Sequence, residues 1–71
     1  MKKIDDIVRL GDLWSYGRCD APDYYVIIGI DTNQQKLCLQ NIASNEAYPG
    51  YEFSYFVEGF KDGRWKLVSR V

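Results

Sequence analysis

Histidine is absent from the 71 residues, and there are only two prolines, two cysteines and one methionine. Without an imidazole, general acid–base chemistry falls to carboxylates, Lys, Tyr or Cys, and no triad can be assembled around Ser15, Ser44, Ser54 or Ser69. Cys19 and Cys38 lack metal-ligand spacing and have no histidine to complete a mixed site, so free thiols and no bound metal are expected. The stretch "GIDTNQQK" lacks the glycines of a phosphate-binding loop. The acidic pairs Asp5/Asp6 and Asp20/Asp23 read as solvated surface. These absences argue against an enzyme and against a cofactor.

No hydrophobic run approaches membrane-spanning length, and "MKKIDDIVRL" follows its lysines with acids rather than an apolar segment. The expectation is a soluble cytoplasmic protein with reduced thiols and no membrane association. Net charge is also small: nine Lys and Arg stand against ten Asp and Glu. The last stretch, residues 59–71, is locally basic, with Lys61, Arg64, Lys66 and Arg70 against Asp62.

What the chain does have is aromatic mass: two Trp, six Tyr and three Phe, five of them within "YPGYEFSYF", residues 48–56. Each ring can bury ~150–250 Å², which suits a single domain, residues 1–71, too small to build its core from aliphatics alone. In "YYVIIGID" both alternating sides are apolar, predicting a central strand covered on both faces, with "DTNQQ" as a turn and "KLCLQNI" as the returning strand. "LWSYGR" reads as a preceding strand and "KKIDDIVRL" as one helical turn. Tyr48-Pro49-Gly50-Tyr51 has the residues of a type II turn, "YEFSYF" alternates as a strand from Tyr51, "VEGF" reads as a 3₁₀ turn, and Asp62-Gly63 turns the chain into a final strand. Val26, Ile28, Leu37, Leu39, Phe53 and Leu67 are the expected core, with Phe56 and Phe60 beside them.

The result is an all-β fold of five short strands, with a short N-terminal helical turn and a 3₁₀ turn before the last strand. On "GDLW", on the hairpin from "YYVIIGI" to "KLCLQNI", and on "FVEGF" leading to "RWKLV", the chain resembles the SH3-like small barrel class over residues 10–70. The aromatic dipeptide and paired tryptophan of signalling SH3 domains are missing. The resemblance therefore implies the barrel and not proline-rich recognition.

Tyrosine combines a large apolar ring with a polar tip, which interfaces favour. The expected function is a non-catalytic protein-binding module, of the kind a phage or mobile element uses to inhibit or modulate a host protein. Tyr16, Tyr48, Tyr51, Tyr55 and Trp65 form its contact surface, edged by Asp20, Asp23 and Glu46. One alternative is a nucleic-acid-binding barrel in which Trp65 stacks bases while Lys61, Arg64, Lys66 and Arg70 meet phosphates. A second is a structural homo-oligomer joined through an edge strand.

Overall fold

The computed structural model describes residues 4–17 and 20–70. Five strands, β1 (Leu13–Tyr16), β2 (Asp23–Asp31), β3 (Lys36–Asn41), β4 (Ala47–Glu52) and β5 (Trp65–Ser69), form one antiparallel sheet in the order β4-β3-β2-β1-β5. A helix, α1 (Phe53–Lys61), precedes β5, and a 3₁₀ turn at Ile4–Asp6 precedes β1. The fold is thus mainly β with five antiparallel strands, as expected. The sheet is open, because the outer strands β4 and β5 do not pair. Arg18 and Cys19, expected at the end of the first strand and as a free thiol, lie outside the described residues.

Two aspartate-type turns build the β2–β3–β4 meander. Asp31 Oδ1 accepts the backbone N–H groups of Asn33 and Gln34 at 3.0 and 3.1 Å, and Asn41 Oδ1 accepts those of Ala43 and Ser44 at 2.9 and 3.0 Å. Each turn then passes through a left-handed residue, Gln35 at φ 56° and Asn45 at φ 60°.

Bulges decide which side chains face the core. Ile27 pairs with Leu39 and Ile30 with Leu37, so the span from 27 to 30 on β2 opposes that from 37 to 39 on β3. The extra residue puts Tyr25, Ile27 and Ile30 on one face and turns Ile28 away. Ile27, Leu37 and Leu39 are fully buried, whereas Ile28 is 46 % exposed. That corrects the expectation of Ile28 in the core and of a strand covered on both faces. Val26 is only half-buried, on the same reverse side. Leu67 also departs from expectation at 43 % exposure: it pairs with Trp14, but β5 is an edge with no strand beyond it.

The segment from Tyr48 to Phe60 departs furthest from its predicted form. Tyr48–Tyr51 is no turn; it lies within β4, where Pro49 is tolerated because the strand is an edge. From Phe53 the chain is helical instead of extended. Phe53, Phe56, Val57 and Phe60 recur at helical spacing, with Phe56 fully buried and Phe53 and Val57 packed against the core. Phe60 is 40 % exposed, its ring edge-on to Trp14 at 5.9 Å. The expected 3₁₀ turn is the second half of this helix. Gly63, at φ 83°, ends it: its N–H meets the Phe60 carbonyl at 3.2 Å and the Arg64 N–H meets that of Gly59 at 2.8 Å, a glycine-terminated helix cap.

A buried carboxylate fastens the N-terminal segment to β5. Asp12 is wholly buried and takes the Arg70 guanidinium bidentately, Nε to Oδ1 at 2.9 Å and Nη2 to Oδ2 at 2.8 Å. It also accepts the Arg9 N–H at 2.8 Å and the Trp14 indole N–H at 3.2 Å, while Arg70 Nη2 reaches the Ile7 carbonyl at 2.8 Å. Ile4, Ile7 and Val8 are thereby held against the sheet as part of the core. Burial pushes the Asp12 carboxyl upward, but the hydrogen bond from Arg70, with those from Arg9 and Trp14, outweighs it and leaves the pKa below the ordinary carboxylate value.

Two expectations follow. Ile27→Ala should cost about 2–5 kcal/mol in urea unfolding, and Ile28→Ala no more than about 0.5 kcal/mol; equal losses would refute the bulged register. Asp12→Asn should destabilise the protein at neutral pH. Because the folded pKa is depressed, the wild-type advantage is present above the unfolded value of about 4 and is lost as pH falls through the folded one. Unfolding free energies of the two proteins should therefore converge in acid; a pH-independent gap would refute the ionised pair.

Candidate functional site: an aromatic groove

Trp65 opens β5 with its indole on the core face, opposite Tyr16 of β1. Beneath it Phe56 stacks at 4.8 Å between ring centroids, with 27° between the planes. Tyr16, Tyr25 and Tyr51 surround it at 4.6, 5.5 and 5.9 Å. Tyr48 continues the cluster, 6.1 Å from Tyr25. Together with Leu39, these four tyrosines and Trp65 line a groove of about 240 Å³, to which every strand of the sheet contributes.

Tyr48 and Tyr51 share this groove because β4 is bulged. Leu39 pairs with Tyr48 and Leu37 with Tyr51, so a three-residue step on β4 opposes a two-residue step on β3. In a regular strand, residues three apart point to opposite faces. The extra residue at Pro49-Gly50 brings both rings to one side.

Hydrogen bonds fix the rings. The Trp65 indole N–H donates to the Tyr51 hydroxyl at 3.4 Å, and the Tyr48 hydroxyl donates to Glu46 Oε2 at 3.0 Å. The Glu46 hydrogen bond and its charge raise the Tyr48 pKa, with a smaller contribution from the Asp23 carboxylate. Burial raises that of Tyr51, partly offset by the bond from Trp65. Both are neutral phenols at neutral pH, suited to stacking and hydrogen bonding and unsuited to nucleophilic attack.

Of the residues picked out in the sequence, Tyr16, Tyr48, Tyr51 and Trp65 line the groove. Tyr55 lies beside it on α1, 60 % exposed, its ring 6.4 Å from Tyr51. Asp23 is exposed and paired with Tyr16 in the sheet register, at the rim. Asp20 is exposed in the β1–β2 connection and is not among the lining residues. Tyr25 and Leu39 complete the groove. Alternation alone could not separate Tyr25 from Tyr24, because both sides of that strand are apolar.

The basic residues do not assemble in the same way. Arg70 is engaged by Asp12, Arg64 pairs with Asp62 at 3.1 Å, Lys61 ends α1, and Lys66 alternates with Trp65 to the reverse face. Among the described residues no group of three His, Cys, Asp or Glu is placed to hold a metal ion, and no helix is long and apolar enough to cross a membrane.

No protein-family model matches the chain, and neither the curated proteins nor the solved structures give a significant match to it.

The groove floor rests on Gly59. A Cβ added there would lie 2.6 Å from Trp65 Cδ1. Gly→Ala in an open helix gains up to ~1 kcal/mol. Here Gly59→Ala should instead cost about 1–3 kcal/mol in chemical denaturation, as overpacked sites do, and shift the tryptophan emission. Stabilisation would show that the ring is not seated on the helix.

Proposed function

We propose that the protein is a non-catalytic protein-binding module whose contact surface is the aromatic groove. The observation that carries this reading is the convergence of four tyrosines, taken from three different strands, around one tryptophan. A domain this small can close its core with aromatics. Yet Phe56 already packs beneath Trp65, while Tyr48, at 41 % exposure, adds its ring outside the sealed core. Exposed rings held by neighbours lose little freedom on binding, which is why tyrosine and tryptophan recur as interface anchors.

We read the architecture as a variant of the SH3-like barrel. The β1–β4 meander, a helical connection, and a last strand returning beside β1 support this. The open seam between β4 and β5 is where the groove lies.

A second reading is self-association through the reverse face, where Tyr24, Ile28 and Val68 are each close to half exposed. Nucleic-acid binding is less favoured, because the basic residues lie on different parts of the surface and Arg70 is committed to Asp12.

Capture of partners from the source cell, using wild type, Tyr48→Ala and Ile28→Ser in parallel, separates the readings. Tyr48 is the informative groove residue, since Tyr51 is half-buried against Trp65 and its loss would disturb the fold as well. A partner held by wild type and Ile28→Ser but weakened at least about 30-fold by Tyr48→Ala, at unchanged thermal midpoint, is the expected result. Retention by Tyr48→Ala would place the contact elsewhere. A solution mass that falls to the monomer only in Ile28→Ser would establish the reverse-face assembly.

A further inference from the structure

The groove has a charge as well as a shape. Among the described residues no Lys or Arg lines it. Two carboxylates stand at its Tyr48 end: Glu46, hydrogen-bonded to the Tyr48 hydroxyl, and Asp23, beside Tyr16 in register and felt electrostatically at Tyr48. Among the described residues Arg64 acts on Tyr51 at the other end, and its charge is paired with Asp62. Aromatic faces carry negative potential, and rings grouped around a cavity with acids at its mouth favour an organic cation over a neutral or anionic group.

The polar atoms narrow the choice. Among the described residues the hydroxyls of Tyr16 and Tyr25 make no hydrogen bond, and Glu46 offers a second carboxylate oxygen beyond the one bonded to Tyr48. These are acceptors that a fully methylated ammonium could not use. A lysine ammonium could use them, but it is strongly hydrated and presents no flat face to a ring. A guanidinium is weakly hydrated, stacks on aromatic faces and carries five N–H donors.

We infer that the groove receives an arginine side chain of the partner protein, stacked on its tyrosine rings with its N–H groups turned to the carboxylates of Glu46 and Asp23. This rests on the groove being the contact surface, and it adds the identity of the residue that enters it.

The test is a titration of the isotopically labelled protein, followed by amide and indole shifts, with four blocked tripeptides that differ only at the central residue: arginine, citrulline, lysine and trimethyllysine. Citrulline keeps the shape of arginine and lacks its charge. The arginine peptide should give saturable shifts at Trp65 and at the groove tyrosines, with the citrulline peptide at least about tenfold weaker. Glu46→Gln, which can still accept the Tyr48 hydroxyl, should weaken the arginine peptide about threefold and leave citrulline unchanged. Equal binding of arginine and citrulline overturns the inference, as do a stronger response to lysine or trimethyllysine and silence of all four peptides. Capture of the partner lost in Tyr48→Ala, together with equal arginine and citrulline binding, means that the groove is the contact surface but takes a neutral residue. Capture unaffected by Tyr48→Ala removes both readings.

Discussion

The indole of Trp65 has to fit against a helix backbone, and much of the molecule is arranged around that contact. Trp65 belongs to an outer strand, and the outer strand on the other side, β4, does not pair with it. Side chains span the gap that backbone hydrogen bonds would close in a complete barrel. Phe56 and Gly59 of α1 back the indole, and its N–H reaches across to Tyr51 on β4. Glycine at 59 is otherwise a poor choice for a helix interior. Its presence there follows from the ring that occupies the space of its missing Cβ.

The other end of β5 is held by charge. A short edge strand with one buried residue has little apolar area to keep it in place. Arg70, just beyond that strand, reaches Asp12, and Asp12 in turn collects N–H donors from Arg9 and Trp14. A buried ion pair is weak as a source of net stability, because desolvation offsets most of the attraction. Its effect here is one of position: all of the donors and acceptors are satisfied only when the N-terminal turn, β1 and the C-terminal end of the sheet are in one arrangement.

The parts of the fold that were legible in the sequence depend on neighbours in the chain. Asp31 bonds to backbone two and three residues on, and Gly63 at positive φ turns the chain into β5; such signals are local and could be read directly. Ile28 could not, since a bulge is set by what two strands do together and leaves "YYVIIGID" with two equally apolar sides. The Tyr48–Tyr51 stretch carries real turn chemistry, but pairing with β3 overrides it. "FSYFVEGF" satisfies both a twofold alternation at its start and a helical repeat over its length, and packing of Phe56 beneath Trp65 decides between them. The partner of Arg70 lies 58 residues away, so nothing beside it in the chain distinguishes it from the other cations of the same stretch. Four of the groove residues were recognised by type, from the habits of tyrosine and tryptophan, although the geometry assumed for two of them was wrong.

The failed alternation and the groove have a common cause. Were β4 regular through Pro49-Gly50 instead of bulged, Tyr48 and Tyr51 would sit on opposite faces, one in the groove and one on the reverse side. Were β2 regular through Ile28, Ile30 would face away from Tyr25 and Ile27. A proline is tolerable at the first of these bulges because β4 has no further neighbour to receive its missing N–H, and a glycine beside it leaves open space where a side chain would stand. The bulge at Pro49-Gly50 is therefore placed where the sheet can accept it at low cost, on the outer strand, whereas that at Ile28 lies in the central strand β2. The first is also placed where it turns rings toward the seam that the open sheet leaves. Regular strands would give a more readable sequence and a flatter surface, with the aromatic residues divided between two faces and no groove between β4 and β5.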